Sequence, residues 1–412
     1  MDVLPSNIVF DIFSRVPVKC LARSRCVSKV WCNYIDDRYL VIIHDKRVVE
    51  EPTPFLYHQH LSRERTTHSL CFHVIESIQT GSTHDYDLKP KEGPFLRIKP
   101  LSKSSLVTFQ VRGSCNGVVC LSQDDNMVEV ELVTALVAVH PLRKECYELP
   151  PLHMHFSSSM HRGSCGLGFD ATTNTFKMIC VLLKAYAPPN NHDMVRKKLC
   201  TMVHVFGTNS WREIPQVPSY PTAGKAIFAN GCLHWLVSHI DIPTQDGRRP
   251  VIWFDVEKEE FGLIDPPKRM CDLWRNYSSF YNHLVDLNGE VGYVSYETLE
   301  VWLLKKKEWV PYCRLFIKQI IPYGYIEVLG CWNKEGDMLI CNTGDGRYKF
   351  FVYNLKSGLV HKTNIVGPDD GCHPNIFMHP NKLFSIHGIG TNSFPMKKTN
   401  LKKSCQHLLS YK

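Results

Sequence analysis

The apolar positions of this chain follow two different periods, and the change falls near residue 40. Ile8, Ile12 and Val16 recur every four residues with Val9 and Phe13 beside them, which lays a broad apolar stripe along an amphipathic helix. Pro5 suits the first turn, where its missing N–H would be unpaired anyway, and Pro17 ends the helix. Leu21 opens a second short helix whose Arg23 and Arg25 face water. Ser28 is placed to cap a third, carrying Trp31, Tyr34 and Ile35. The 36 residues of 4–39 are too few to bury this much apolar surface among themselves. An external apolar partner is expected.

Residues 40–105 are less regular. Segments 48–54 and 81–94 are polar and turn-rich while 69–78 reads as a strand, so 46–105 is expected to be a connector, partly strand. From Arg112 onward, short apolar strands follow turn glycines at Gly117, Gly231, Gly289 and Gly336. Asn116, Asn230 and Asn288 precede the first three, and Asn-Gly favours the positive φ that tight hairpins need. Each unit continues with an apolar strand, a polar turn, an aromatic and an apolar end, at 138–151, 203–215, 251–267 and 299–312, and more weakly at 350–363. The marker aromatics Tyr147, Trp211, Phe261 and Trp309 stand 64, 50 and 48 residues apart. A period near 50 with several strands per unit predicts radially repeated sheets of the kelch kind. The expected fold is a small all-α, three-helix module over 1–45, then a large all-β, propeller-like domain over 106–390. A basic tail, expected to be disordered, covers 391–412.

The run Leu4-Pro5, Ile8, Ile12, Arg15, Val16-Pro17-Val18-Lys19, Leu21, Arg25-Cys26-Val27-Ser28-Lys29 and Trp31 resembles the F-box motif in its plant form. Asn7, Asp11 and Ser24 depart from that pattern, where an acid, a Glu and a bulky apolar residue are usual. The segments 112–121, 166–181, 208–214, 230–236, 254–255 and 299–304 are similar to the plant F-box-associated domain, a resemblance covering roughly 105–370. Its departure is Val139-His140-Pro141-Leu142, where that family has Trp-Asn-Pro and a small polar residue. The resemblance implies a helical module that docks on a Skp-type adaptor, and through it on cullin and RING subunits, and a β domain that recruits a target protein. Leu4, Pro5, Ile8, Ile12, Pro17, Leu21, Val27 and Trp31 are the expected adaptor-binding residues.

Charge and cysteine usage narrow this further. Net charge is +8, but five lysines in 391–412 supply much of it and leave +3 for the other 390 residues, which argues against a body-wide nucleic-acid surface. The run 132–139 is far shorter than the roughly 18–20 residues of a membrane span. The start has no signal-peptide pattern. Seventeen cysteines, odd in number and scattered through apolar runs without a CxxC pair, read as free thiols in a reducing compartment. Cytoplasm or nucleus is the expected location.

Catalytic patterns are weak throughout. The 163–168 glycines reverse the dinucleotide fingerprint and read as a tight turn. His153, His155, His161 and Cys165 match no closed zinc spacing. Asp124-Asp125 and Asp369-Asp370 have turn composition. Trp211, Trp235, Trp253, Trp302, Trp309 and Trp332 read as strand packing, and 196–198 and 305–307 as solvated loops or hairpin tips. No residue is assigned to catalysis, a metal or a cofactor. The expected role is a non-catalytic substrate-recognition subunit of an SCF-type E3 ubiquitin ligase. The rival is a carbohydrate- or small-ligand-binding propeller with no ligase role.

Overall fold

The computed structural model describes residues 4–47, 51–61, 68–78, 87–90, 95–98, 107–125, 133–153, 164–185, 187–188, 191–241, 249–268, 282–295, 299–316, 325–342, 348–363, 365, 375–386 and 409–410. Its N-terminal part is helical: α1 (Ser6–Phe13), α2 (Val18–Ser24), α3 (Lys29–Ile35) and α4 (Arg38–Arg47). The fourth helix corrects the three-helix expectation. Leu40, Val41 and His44 bury one side of α4, and His44 Nε2 bonds to the Val16 carbonyl at 2.8 Å.

All-β structure follows, in blades of four antiparallel strands. The first sheet begins with β1 (Thr53–Leu61), β2 (His68–Ile78), β3 (Asp87–Pro90) and β4 (Leu96–Ile98). The second blade is β5 (Val107–Cys115), β6 (Val118–Asp125), β7 (Val133–His140) and β8 (Glu145–Glu148), with β9 (Leu152–His153) paired to β7. The third is β10 (Ser164–Asp170), β11 (Thr175–Leu183), β12 (Leu199–Val205) and β13 (Arg212–Ile214), with α5 (His192–Lys198) between β11 and β12. The fourth is β14 (Thr222–Ala229), β15 (Cys232–Val237), β16 (Val251–Asp255) and β17 (Glu260–Ile264). The fifth is β18 (His283–Leu287), β19 (Glu290–Val294), β20 (Glu300–Lys305) and β21 (Glu308–Arg314). The sixth is β22 (Ile326–Cys331), β23 (Met338–Asn342), β24 (Lys349–Tyr353) and β25 (Val360–Lys362).

The ring closes when β26 (Asn375–His379) returns to pair antiparallel with β1, Phe55 opposite Phe377. The described strands between 53 and 98 therefore belong to a blade and not to a connector. Their innermost strand comes from about 300 residues downstream, a pairing that local pattern does not encode. The outer edge of the same sheet, β4, pairs with β27 (Leu409–Ser410), so the far end of the tail is strand; 391–408 and 411–412 lie outside the described residues.

The hairpin signals are realised in the backbone. Asn116-Gly117, Asn230-Gly231 and Asn288-Gly289 all have positive φ at both residues, from 48° to 86°. The marker aromatics stand on or beside the outermost strands β8, β13, β17 and β21. The 166–168 glycines, by contrast, are in strand β10 and not in a turn. A Cβ on Gly166 would come within 2.6 Å of Ala226 Cβ and 2.8 Å of Trp235, so only glycine lets β10 lie this close to blade four. Ala226 and Ile227 of β14 also pair in parallel with Gly113 and Ser114 of β5. Blades two and four are thereby joined directly, across the third.

Candidate functional site

The helical module has an inner and an outer side. On the inner side Phe13, Val18, Leu21, Ile35, Leu40 and Val41 are buried in one cluster with Phe55, Phe72, Val137, Val139, Leu142 and Phe377 of blades one and two. A fully buried Leu contributes about 2 kcal/mol relative to exposure, so this shared core fixes the module against the propeller. Phe10 meets Tyr34 and Tyr39 edge-on at 5.3 and 5.2 Å, and Phe13 meets Trp31 at 5.1 Å. The Ser28 hydroxyl accepts the Trp31 N–H at 3.1 Å, which is the predicted cap of α3.

The outer side stays apolar and open. Leu4 is 59% exposed, Ile8 42%, Ile12 47% and Val27 64%. Pro5 and Pro17 are exposed as well. Trp31 is half-buried against Phe13, and Leu21 is fully buried, so its part is played in the core and not at the surface. The α1 stripe is therefore shared between two faces: Val9, Phe10 and Phe13 turn inward, Ile8 and Ile12 outward. Val30, on the first turn of α3, and Ile42, on α4, are exposed too and lie outside the expected set.

Around the outer side, charge orders the helices. Asp11 is bonded by Arg47 at 2.6 Å and Arg15 at 3.2 Å, and these two guanidinium groups hold its carboxyl below the usual range. Arg47 also donates to the Ser14 hydroxyl at 2.7 Å, tying α4 to α1.

A ring of four charges spans the junction. Arg143 contacts Asp36 at 2.6 Å and Glu145 at 2.9 Å, while Arg25 contacts the same two acids at 2.9 and 3.3 Å. Burial opposes the charge on Arg25, but Glu145 and Asp36 outweigh it and hold it more firmly protonated. Arg143 also donates to the Leu383 carbonyl, and Glu145 accepts from Ser385 and from the Ile386 N–H, both at 3.0 Å. The Val139-His140-Pro141-Leu142 departure spans the end of β7 and the start of the turn 141–144 beside it. There His140 is fully buried, accepts the Arg143 N–H at 3.3 Å on Nδ1 and donates from Nε2 to the Lys382 carbonyl at 3.1 Å, while Leu142 enters the shared core. The unusual residues build the joint.

The other candidates disperse. Cys165 is buried on β10, His153 is on β9, and His155 and His161 lie outside the described residues. Among the described residues no group of three or more His, Cys, Asp or Glu could hold a metal. Asp124 and Asp125 end strand β6 and are not in a turn, and Asp369-Asp370 lie outside the described residues. Trp235 and Trp302 are buried, and Trp211 and Trp309 donate from the indole nitrogen to the Pro150 and Asp265 carbonyls at 2.8 and 2.7 Å. Lys306 and Lys307 form the expected hairpin tip with positive φ, but Lys307 also sits 4.2 Å over the Trp253 ring. Residues 196–198 are the last turn of α5, not a loop: Asn191 caps that helix, and three cations suit its C-terminal end.

Comparison with known proteins fits this architecture. Residues 67–386 match the model of the F-box associated beta propeller domain, and residues 1–42 match the F-box domain. The chain is 21% identical to F-box protein At4g19940 of Arabidopsis thaliana, over 91% of this chain and 88% of that one. It is 26% identical to F-box protein At3g07870 of Arabidopsis thaliana, over 75% and 72%, and 22% identical to F-box/kelch-repeat protein At3g23880 of the same plant, over 89% and 96%. The chain belongs to the F-box associated beta propeller domain family and carries an F-box domain at its helical end.

Proposed function

We propose that this chain is the substrate-recognition subunit of an SCF-type E3 ubiquitin ligase, acting in the cytoplasm or nucleus. The outer side of the helical module docks on a Skp-type adaptor, and the propeller holds a target protein near the ubiquitin-charged E2. One observation carries the reading. A helical module whose inner side is locked into a propeller still presents Leu4, Ile8, Ile12 and Val27 to solvent, apolar surface with no use inside the chain.

The mechanism is positional. The receptor contributes no bond-making residue; it raises the effective concentration of the target's lysines at the E2. A joint that bends freely would dilute that effect, and here the shared core and the charge ring oppose bending. The full chain is the right reagent for a test, because residues 1–45 alone would expose Leu21, Ile35 and Leu40. Titration of the full chain with purified adaptor should show a one-to-one complex. Ile8→Glu with Ile12→Glu should weaken it at least about a hundredfold by placing two charges on the apolar contact, with the thermal midpoint nearly unchanged. Undiminished binding by the folded double variant would sink the docking surface.

A further inference from the structure

The propeller axis holds a cavity of about 980 Å³, at the upper end of the roughly 300–1,000 Å³ of small-molecule pockets. Its walls come from the inner strands of five blades, β5, β14, β18, β22 and β26, with Val111, Ile227, Leu284, Val285 and Val328 among the apolar lining. β10 of the third blade supplies no lining residue, as the parallel pairing of β5 with β14 closes in front of it.

Three of those inner strands are irregular. β5 shifts register between Val111 and Gly113, β22 between Val328 and Gly330, and β14 between Ala223 and Ile227. Such bulges re-aim side chains. In β14 the shift covers Gly224 and Lys225, with Gly224 at φ 80°. Lys225 is the side chain it delivers into the cavity.

The charges there are unbalanced. Lys225 makes no hydrogen bond or ion pair with any described residue; Glu327 and Asp286 act on it through space without reaching contact. Arg249 is 4% exposed and has no acid within ion-pair distance among the described residues. It donates instead to the Val237 carbonyl at 2.7 Å and the Asn282 carbonyl at 3.3 Å. Lys382 is already matched by Asp45. Burial moves the Asp286 carboxyl upward, toward its neutral form, and the Gly289 N–H bonded to it at 2.7 Å only partly offsets that. Lys225 and Arg249 thus face the cavity without an acid at contact distance among the described residues, as does Lys334 at its rim.

We infer that the central cavity is a binding site for a small organic anion with an apolar body, its charged head held by Lys225 and Arg249. The anion supplies the contact that Glu327 and Asp286 do not make, and its body replaces water along the Val111, Leu284 and Val328 walls. The site is separate from the docking side of the helical module, and neither reading depends on the other.

The test uses the full chain carrying Ile8→Glu and Ile12→Glu, so that the open apolar side does not take up the probe. The probe is anilinonaphthalene sulfonate, titrated by fluorescence against its neutral counterpart, N-phenyl-1-naphthylamine. The sulfonate should bind at one saturable site and the neutral compound about tenfold more weakly. Lys225→Met should weaken the sulfonate about tenfold and leave the neutral compound unchanged. Lys305→Met, at a hairpin tip where the lysine pairs with Glu290, should change neither. A thermal melt confirms that each variant is folded. Equal affinity for the two compounds, an unaffected Lys225→Met, or no saturable binding at all would each overturn the assignment.

Discussion

The joint between helical module and propeller, and the cavity on the propeller axis, both gather cations, but in opposite states; Arg143 and Arg249 are buried, whereas Lys225 is open to the cavity. At the joint Arg143 lies between Asp36 and Glu145, each within 3 Å. In the cavity Arg249 finds only carbonyl oxygens, and Lys225 finds no contact partner among the described residues. Desolvating a guanidinium costs several kcal/mol unless an acid lies close, so the first arrangement suits a permanent joint. The second leaves room for a partner from outside. Lys177, between blades three and four, repeats the first state with Asp170 at 2.9 Å and Glu259 at 3.1 Å.

The largest expected effect breaks the paired side. Arg143→Met leaves Asp36 and Glu145 to share Arg25 and removes the bond to the Leu383 carbonyl. A loss of about 3 kcal/mol in chemical denaturation is expected, since removing one partner strands the others. The helical module should also loosen from blades one and two, which hydrogen exchange of α3 and α4 would reveal. A loss below about 0.5 kcal/mol would mean that the shared apolar core alone holds the joint.

Next in size is Lys177→Met, expected to cost about 2 kcal/mol near neutral pH. Burial pushes the Asp170 and Glu259 carboxyls up, but their bonds to Lys177, and for Glu259 also to Arg212, bring both below the usual 3.8 and 4.5. Carboxyls with lowered pKa stabilise the fold above their unfolded values and lose that contribution as pH falls through the folded ones. Wild-type stability should therefore drop as pH falls below about 4.5, and the drop should be shallower in the variant. Parallel pH profiles would show that Lys177 is not what holds these acids ionised.

What the amino-acid order reveals about this molecule follows the range of each interaction. The Asn-Gly hairpins, the Ser28 cap and the marker aromatics are set by neighbours within a few residues, and all are where the pattern put them. Blade one carries the pattern of a connector because β26, which completes it, is some 300 residues away. Gly166 looked like a turn because its real constraint, Ala226 and Trp235 pressing on the missing Cβ, is in another blade. At the docking surface the stripe of α1 was legible, but not which half the propeller would cover; Leu21 is in the covered half and Ile8 and Ile12 in the open one. Lys225 carried no signal at all, since its exposure to the cavity follows from a register shift and not from residue spacing.

The smallest expected effect separates the two states most sharply. Arg249→Met removes the donors to the Val237 and Asn282 carbonyls, a cost of about 1–3 kcal/mol. It also removes a buried cation with no acid at contact distance among the described residues, held at a pKa of about 10 by burial, and that relief works the other way. The two effects should nearly cancel, for a net change of about 1 kcal/mol or less, well under that of Arg143→Met. Replacing a paired cation strands its acids, whereas replacing an unpaired one strands only dipoles. A loss matching that of Arg143→Met would show that Arg249 is as fully compensated as the joint, and the contrast between the two regions would fall. A small loss, measured alongside the weaker sulfonate binding of Lys225→Met, would place the unbalanced charge of this molecule in its central cavity.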